Sequence, residues 1–407
     1  MSVSRFRLRT GLLAGALVLL AGGLGLASVL QPPRLTGVEV RPAALVAGDG
    51  ARVVLRLSQD VRAVSAGDIQ SDPELPVRAT SDGNEVVLTL GESLEYGAAL
   101  RVRARVESAA TGAGAVIETV LHAPDTTVAT LVRDERGDRI LGAGLVSGAA
   151  GFELTPAPRI QEYAMLPDRA LVVAETGAGR AELSSVRIAS GTVEPVIRDT
   201  AAELTELRTE ATVLAAGIVV TGLQLGPDPT RRTLLLFDAR GAFAAPAVVA
   251  AADGSPIAVE RWRFLPGTSA VVLRDTAGVL WRADPLLGEA ATPMPASAPE
   301  AAALGEPDRI VGAGGETVTV ARDRGSLRSA REGVERTLFA PAAAHSRIGA
   351  LCAAPNGRAL AVEVIAADAE SDGRAVRPGA TRSTTVFLDI RTGAQLRSAI
   401  GFSPNWC

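Results

Sequence analysis

The sequence predicts an all-β protein of two folded parts that follow an N-terminal transmembrane helix. Three observations lead to this prediction. They are an uncharged apolar run near the N-terminus, short strand patterns between glycine-containing turns, and a turn-and-strand unit that recurs from residue 124 onwards. Apolar and polar residues that alternate with a period of two indicate strands with one buried and one solvated face. The predicted segments are residues 1–34, 35–123 and 124–407.

The composition excludes several classes of function. The 407 residues are 47% hydrophobic and 21% charged with a net charge of −4, so the chain can form folded cores and has no basic excess for nucleic acid. All 41 basic residues are arginine, which excludes Schiff-base chemistry and a P-loop lysine. Two histidines and two cysteines leave little material for a zinc site. We therefore expect no cofactor, no metal and no nucleic-acid partner.

The N-terminus has the pattern of a membrane anchor. Arg5, Arg7 and Arg9 precede the uncharged run Gly11–Leu30, and about 20 apolar residues cross a bilayer core of ~30 Å. A cleaved secretory signal has a shorter apolar core, and the end of this run offers a poor cleavage site. The arginines should stay cytoplasmic. We expect a single-pass anchor in the cell membrane with the bulk of the chain extracytoplasmic; the alternative is a protein secreted after signal cleavage.

The two cysteines fit an oxidising compartment. Cys352 and Cys407 are the only cysteines, and Cys407 is the last residue, where a free thiol has little packing to protect it. A disulfide in an extracytoplasmic protein contributes ~2–4 kcal/mol. We predict a structural disulfide between Cys352 and Cys407.

Residues 35–123 show the pattern of a small β-sandwich. Apolar or alternating runs occur at Val53–Leu57, Val86–Leu90 and Leu100–Val106, and turn residues separate them. In the last run Leu, Val and Ala alternate with three arginines, which indicates one buried and one solvated face. The stretches VEVRPAALVAGDGARVVLRLSQDV and GNEVVLTLGESLEYGAALRVRARV resemble the bacterial Ig-like domains of surface proteins, a family that mostly supplies spacers and adhesive modules.

A unit of 41 to 50 residues recurs in the rest of the chain. It consists of a turn followed by an apolar strand, as in LPDRALVVAE from Leu166, FLPGTSAVVL from Phe264 and APNGRALAVE from Ala354, with weaker copies at EPDRIVGAG and LAAGIVVTG. The aligned turn positions are Pro124, Pro167, Ala216, Pro266, Pro307 and Pro355. This period and strand content match the four-stranded blades of a propeller.

Most units contain a second motif, in which a polar turn that ends in glycine joins two strands. The glycines are Gly191, Gly241, Gly288 and Gly393. Glycine adopts the positive φ that a tight hairpin requires, so each unit is predicted to contain strand, turn, strand and hairpin. One such sheet cannot bury both of its faces, and six around an axis can. The chain resembles TolB-like or WD-repeat-like six-bladed propellers over residues 124–407, most strongly at APNGRALAVE and LDIRTG. That resemblance implies protein–protein contact at the cell envelope.

The last unit carries a long polar insertion, Ala366–Arg382. Its acids alternate as at the opening of a calcium loop, but the twelfth position is Gly379, where that loop needs a bidentate glutamate. We interpret the insertion as a solvated loop without a metal. Long loops often carry binding residues, which makes this one the first candidate for contact with a partner. The candidate residues are Asp368, Glu370, Asp372, Arg374 and Arg377.

The sequence contains no GxSxG, HExxH or paired CxxC motif, and we predict no catalytic residues. The predicted function is a non-enzymatic binding or scaffold protein of the bacterial cell envelope. It would be held in the membrane by Gly11–Leu30, with an envelope protein or a ligand bound to the propeller. The alternative is a propeller hydrolase or lyase for glycans, which requires two axial carboxylates within ~5–10 Å of each other.

Overall fold

The computed structural model contains two compact units, Met1–Asp125 and Thr126–Cys407. The observed boundary lies two residues after the predicted one. The structure describes residues 15–17, 31–48, 50–149, 151–175, 181–200, 204–210, 220–225, 232–238, 246–265, 268–306, 308–312, 314–374 and 377–406.

The first unit contains seven strands in two antiparallel sheets that enclose one shared core. The strands are β1 (Leu35–Val40), β2 (Arg52–Leu57), β3 (Ile69–Asp72), β4 (Val77–Asp82), β5 (Glu85–Leu90), β6 (Ala99–Glu107) and β7 (Gly114–His122). The sheet orders are β1-β2-β5-β4 and β3-β6-β7. A short α-helix (Ala44–Ala47) and a 3₁₀ turn (Ala66–Asp68) connect strands. Leu55 and Leu88 of one sheet share a core with Leu100 and Ile117 of the other.

The strict alternation predicted for LRVRARV is confirmed. Leu100, Val102, Ala104 and Val106 of β6 are buried, and the arginines between them are exposed. Arg101 and Arg103 lie within 3.4 Å of Glu118 on neighbouring β7. The arginine face is therefore a solvated strand face with exposed ion pairs, which contribute little to stability.

The second unit consists of six consecutive antiparallel sheets, the number that the repeats predict. Sheet 1 contains β8 (Thr127–Asp134), β9 (Gly137–Gly144) and β10 (Phe152–Leu154). Sheet 2 contains β11 (Ile160–Met165), β12 (Arg169–Glu175), β13 (Ala181–Arg187) and β14 (Val193–Thr200). Sheet 3 contains β15 (Leu204–Glu210), β16 (Val220–Leu225), β17 (Thr233–Asp238) and β18 (Ala247–Val248).

The other three sheets also pair their strands in chain order. Sheet 4 contains β19 (Val259–Phe264), β20 (Val271–Asp275), β21 (Leu280–Asp284) and β22 (Glu289–Met294). Sheet 5 contains β23 (Arg309–Val311), β24 (Thr317–Val320), β25 (Leu327–Arg331) and β26 (Val334–Phe339). Sheet 6 contains β27 (Arg347–Ala353), β28 (Ala359–Ile365), β29 (Ser383–Asp389) and β30 (Gln395–Ile400). Short 3₁₀ helices span Pro285–Leu287 and Pro299–Leu304.

Residues 401–406, the closing segment, complete sheet 1 from the other end of the unit. Leu131 of β8 and Phe402 exchange backbone hydrogen bonds of 2.9 and 3.0 Å in antiparallel orientation. The Asn405 side chain accepts the N–H of Ala129 at 2.8 Å, and its backbone N–H donates to the Ala129 carbonyl at 3.1 Å. Sheet 1 thus takes strands from both ends of the unit, which closes the ring and leaves it no open edge at this position.

Apolar cores join neighbouring sheets around the ring. Shared clusters of buried residues lie between sheets 1 and 2, 2 and 3, 3 and 4, and 5 and 6. The 3₁₀ helix Pro299–Leu304 precedes the first strand of sheet 5 and packs on sheet 4, where Arg261 donates to the Leu304 carbonyl at 2.9 Å. Sheets 6 and 1 meet through Arg397, which donates to the Gly144 carbonyl at 3.1 Å. The six sheets therefore form a closed six-bladed β-propeller.

The repeated turn lies between the first and second strands of a sheet, so each sheet begins one strand earlier than the predicted unit. Gly191, Gly288 and Gly393 have φ of 68°, 80° and 75°, which confirms the hairpin glycines; Gly241 lies outside the described residues. The alignment is wrong in sheet 5. Its EPDR segment precedes β23, and the true turn is the glycine-rich stretch in which Gly312 donates to the Glu316 carbonyl at 2.8 Å. The short strand RIV mimics the apolar strand that follows the turn elsewhere.

Most of the proposed anchor Gly11–Leu30 lies outside the described residues. In the part of the chain that the structure describes, no helix is long and apolar enough to span a membrane. Cys352 is buried, with 8% of its surface exposed. Cys407 lies outside the described residues, so the pairing of the two remains a prediction.

Replacing Phe402 by alanine should destabilise the propeller by about 3–5 kcal/mol, because the ring is 7% exposed in the core between sheets 1 and 2. Urea unfolding followed by tryptophan fluorescence measures this, since Trp262, Trp281 and Trp406 all lie in the second unit. Ile400→Ala is the control. Ile400 is 57% exposed. If Ile400→Ala lowered the free energy of unfolding by a similar amount, the closing segment would not contribute more to stability than an exposed residue beside it.

Candidate functional site

The candidate site is a cavity of about 230 Å³ at the centre of the second unit. The first strands of sheets 2, 3 and 4, the closing segment and the loop Ala366–Arg382 (the sheet-6 loop) surround it. We call it the arginine pocket, and its described lining is Glu162, Tyr163, Ala164, Leu207, Arg208, Arg263, Phe264, Arg377, Ser403, Pro404, Asn405 and Trp406.

Strand alternation places two of the arginines. In β19, Trp262 is fully buried between sheets, and its neighbour Arg263 therefore points to the opposite side, into the pocket. Among the described residues, Arg263 donates only from Nη1, to the Trp262 carbonyl at 3.0 Å. Arg208 of β15 stacks on the Trp262 ring with 5.9 Å between its Cζ atom and the ring centroid. Two guanidinium groups on adjacent blades thus border one small space.

Glu162 of β11 faces the same cavity and is 5% exposed. Its Oε2 atom accepts the N–H of Leu207 at 3.2 Å and lies 3.3 Å from Nε of Arg377. Its Oε1 atom has no hydrogen-bond partner within the described residues. Burial raises the pKa of Glu162 above its ordinary value, against the nearby charge of Arg377. A carboxyl group at this position is short of hydrogen-bond donors.

The positive charges of the arginines repel one another, which disfavours the charged form of each. Burial, reinforced by the charge of Arg263, lowers the pKa of Arg208 to about 9. Burial also lowers the pKa of Arg263, although the charge of Glu206 opposes this effect. Glu206 lies 3.8 Å from Arg208 and has φ of 59°, a left-handed conformation that costs energy outside glycine and is concentrated at functional sites. Among the described residues, three arginines and two glutamates thus lie close together at the pocket.

The closing segment forms one wall of the arginine pocket. The Tyr163 hydroxyl donates to the Ser403 carbonyl at 2.9 Å, which fixes this wall against β11. Trp406 packs edge-on against Phe387 with ring centroids 5.2 Å apart. Together with Leu207 and Phe264 it supplies an apolar surface beside the charged groups. The pocket can therefore hold a small molecule with one anionic end and an apolar remainder.

The five residues predicted for partner contact lie in three different environments. Arg377 reaches into the arginine pocket. Asp368 and Glu370 are exposed, and Asp368 pairs with Arg382. Asp372 and Arg374 face inward: their side chains are 11% and 14% exposed and form ion pairs with the body of the propeller. Asp372 and Arg374 are therefore not solvated, because the insertion folds back across sheets 1 and 2.

Asp372 and Arg374 belong to an ionic cluster with Arg133 and Asp138, which we call the clasp. Arg133 lies 2.5 Å from Asp372, and Arg374 lies 2.8 Å from Asp138. Arg133 also donates to the carbonyls of Ile160 and Gln161 at 2.8 and 2.9 Å. The clasp links sheet 1, the first strand of sheet 2 and the sheet-6 loop, and so positions Arg377.

The pocket lacks the carboxylate pair that glycan hydrolysis requires. Among the described residues that line it, Glu162 is the only carboxylate. In the part of the chain described, no three His, Cys, Asp or Glu side chains are grouped so that they could hold a metal ion. The arrangement is suited to the binding of an anion.

Sequence reasoning missed Glu162, Arg208 and Arg263. Each lies on the first strand of a sheet, and Glu162 and Arg263 come just before a repeated turn. The repeated units begin at the turn, so the strand before each turn falls in the preceding unit. Charged residues shortly before the turns, Glu162 in EYAMLPDR and Arg263 in WRFLPG, are the signal that could have located the axis.

Comparisons with known proteins show similarity of fold only. No protein-family model matches the sequence, and no curated protein matches it significantly. TolB from Acinetobacter baumannii aligns over 77% of this chain and 80% of its own, with 12% identity and a TM-score of 0.40. A protein of unknown function and an auxiliary nutrient binding protein, both from Bacteroides thetaiotaomicron, align over 92% and 91% of this chain and 88% and 86% of their own. Their identities are 10% and 11%, and their TM-scores are 0.38 and 0.30. The propeller assignment here depends on the strand order of the six sheets, on the clusters that join neighbouring sheets and on the pairing of the closing segment with β8.

Replacing Asp372 by asparagine should destabilise the propeller by about 3 kcal/mol, because it removes the carboxylate nearest to the buried charge of Arg133 and leaves Asp138, 3.7 Å away, as the remaining one in the clasp. Asp368→Asn, in the same loop but in an exposed pair, should cost at most about 1 kcal/mol. Urea unfolding at neutral pH compares the two variants. Equal effects would mean that the clasp does not hold the loop.

The wild-type protein should lose the contribution of Asp372 in acid. Burial acts to raise the pKa of this carboxyl group, but hydrogen bonds from Arg133 and from backbone N–H groups outweigh burial and lower it below 3.8. Because the folded-state pKa lies below the unfolded one, the stabilisation is present above pH 3.8 and is lost as the pH falls further. The stability difference between wild type and Asp372→Asn should therefore shrink in that range.

Proposed function

We propose that this protein is a non-enzymatic binding protein whose arginine pocket holds the anionic group of a small ligand. The observation that supports this most strongly is the convergence of Arg208, Arg263 and Arg377 on one cavity. Guanidinium groups bind carboxylate and phosphate oxygens through paired, charge-assisted hydrogen bonds. A partly buried cavity strengthens such bonds, since water competes for them less.

We further propose that this binding takes place outside the cytoplasm, on a protein anchored in the cell membrane through Gly11–Leu30. The length and lack of charge of that run support the anchor. Sequencing the mature N-terminus separates the anchored form from a secreted one. An envelope protein that supplies or receives the ligand is the partner consistent with this location. The disulfide between Cys352 and Cys407 would suit the same oxidising compartment.

The first unit is proposed to be an Ig-like spacer. Its strand orders, β1-β2-β5-β4 and β3-β6-β7, correspond to the ABED and CFG sheets of the constant-type immunoglobulin sandwich. Its outward arginines take part in exposed ion pairs and need no ligand. We assign ligand binding to the second unit.

Replacing Arg263 by alanine should weaken anion binding by about 10- to 100-fold, the loss expected for one or two charge-assisted hydrogen bonds. Titrations with acetate, phosphate and sulfate, followed by the fluorescence of Trp406 at the pocket wall, measure this. Arg274→Ala is the matched control, because Arg274 lies on the next strand in an exposed pair with Glu260. If none of the three anions binds the wild type, the proposed function is wrong.

Sulfate binding should tighten as the pH is lowered, because burial raises the pKa of Glu162, which takes up a proton at a higher pH than an ordinary glutamate and then ceases to repel the anion. Arg377, Arg208 and Glu206 are the other charged groups around it. Glu162→Gln should remove most of the pH dependence. An unchanged pH profile in that variant would place the titrating group elsewhere.

A further inference from the structure

Strand β7 is the longest edge strand of the first unit. It has nine residues and ends the sheet β3-β6-β7, and its pairing with β6 continues without a register shift from Ala99↔His122 to Glu107↔Gly114. Natural proteins protect such edges with prolines, lysines, bulges or short strands, because an open edge pairs readily with another strand. β7 contains no proline, lysine or arginine, and Glu118 is its only acidic residue.

The other edge strands of the first unit each have one of these protections. β1 has a register shift between Leu35 and Gly37. β3 has only four residues and is followed by Pro73. β4 has six residues and carries Arg78 and Asp82 at exposed positions. Among the described strands of this unit, β7 is therefore the edge at which pairing with a further strand is expected.

Alternate residues of β7 direct their backbone groups away from β6. Beyond one end of the paired strands, the N–H of Ser108 donates to the Ala113 carbonyl at 3.0 Å. Beyond the other end, the N–H of Ala123 donates to the Ala98 carbonyl at 2.8 Å. Hydrogen-bonded and non-bonded pairs alternate along an antiparallel ladder, so the even-numbered residues from 114 to 122 point their N–H and C=O groups to the open edge. No other described strand pairs with them.

The side chains of these residues suit a second copy of the same strand. Val116 and Val120 are 65% and 43% exposed, and Glu118 between them lies within 3.4 Å of both Arg101 and Arg103 on β6. The stretch VIETV has almost the same pattern in both directions, with a β-branched residue on each side of the glutamate. If Glu118 lay opposite its own copy, Val116 would lie opposite Val120 of that copy.

The charges permit this arrangement. Like charges directly opposite each other on neighbouring strands are destabilising. Here each Glu118 would keep its own Arg101 and Arg103, so that four guanidinium groups would surround the two carboxylates. The apolar pairs would lie on either side of this central charged row.

We propose that the first unit forms a symmetric dimer of this chain, in which β7 pairs antiparallel with β7 of a second copy and Glu118 lies on the two-fold axis. The two sheets β3-β6-β7 would then form one continuous sheet. A two-fold interface brings one surface against itself, and a strand whose pattern is the same in both directions fulfils this requirement. The proposal goes beyond ligand binding and does not depend on the arginine pocket.

Charge on the exposed face tests this interface. Sedimentation of the full-length protein, kept in detergent because of its apolar run Gly11–Leu30, should show a dimer whose fraction rises with concentration. Val116→Lys/Val120→Lys should weaken the dimer by about 10- to 100-fold, because it removes the valine pairs and places lysines beside the arginines of β6.

Val193→Lys/Val334→Lys is the matched control. Val193 and Val334 are 43% and 71% exposed and lie on β14 and β26, the outermost strands of sheets 2 and 5. This variant should leave the dimer unchanged. Circular dichroism checks that both double variants are folded.

A cysteine on the proposed axis tests the register. Glu118→Cys should form a disulfide-linked dimer on mild oxidation, because residues that form a hydrogen-bonded antiparallel pair have Cα atoms ~5.5 Å apart, a distance that a disulfide spans. Val334→Cys is the control for exposure, and the wild type gives the background from Cys352 and Cys407. Only Glu118→Cys should exceed that background on a non-reducing gel.

Each contrary result overturns the proposal. A wild type that stays monomeric would leave the β7 edge to a strand of another protein. A dimer that persists in Val116→Lys/Val120→Lys would place the association elsewhere, for example in the apolar run. A dimer that this variant disrupts but that Glu118→Cys does not cross-link would exclude the two-fold pairing about Glu118. The cross-link does not require the lysine variants, and anion titrations are independent of all these results.

Discussion

The second unit depends on the buried guanidinium group of Arg133. It lies 2.5 Å from Asp372 of the sheet-6 loop, donates to the carbonyls of Ile160 and Gln161 in sheet 2, and faces the Phe402 ring at 5.0 Å. One side chain of sheet 1 therefore contacts the next sheet, the closing segment and the loop from the last sheet. A ring of sheets is weakest where its first and last strands meet, and Arg133 lies at that junction. Buried ion pairs contribute little net stability, but they strongly disfavour arrangements in which a charge is left alone.

Ring closure and the arginine pocket use the same residues. The closing segment pairs with β8 through Phe402 and then supplies Ser403 and Trp406 to the wall of the arginine pocket. The clasp holds the sheet-6 loop in the orientation that brings Arg377 to Glu162. Opening the ring would remove one wall and one arginine from the pocket. The pocket therefore exists only in the closed propeller, which couples the stability of the fold to the integrity of the site.

The pocket also shows how a propeller can bring several charged side chains from different blades close together. Each blade contributes its first strand to the centre, so one charged residue per strand is enough to produce a dense cluster. Arg208 and Arg263 come from neighbouring blades, and the Trp262 ring is close to Arg208. The aromatic face and the carbonyl oxygens partly compensate the buried charge.

Much of the architecture could be predicted from local patterns. The alternation in LRVRARV determined a half-buried strand, and Gly191, Gly288 and Gly393 marked hairpins, because period-two burial and positive φ are properties of short segments. The number of repeats predicted six sheets. The prediction that EPDR is the repeated turn of sheet 5 was wrong. In sheet 5 this pattern precedes the first strand, whereas in other sheets it lies between the first and second strands.

The binding site, by contrast, was decided by tertiary structure. Glu162, Arg208 and Arg263 are far apart in the chain and come together only when three blades share an axis. Asp372 and Arg374 look like loop residues in contact with solvent, and folding of the insertion across sheets 1 and 2 buries them against Arg133 and Asp138. Local sequence determines which backbone conformation and which face a residue adopts. Only closure of the ring determines which distant charges meet, because that depends on long-range packing rather than on neighbours in the chain.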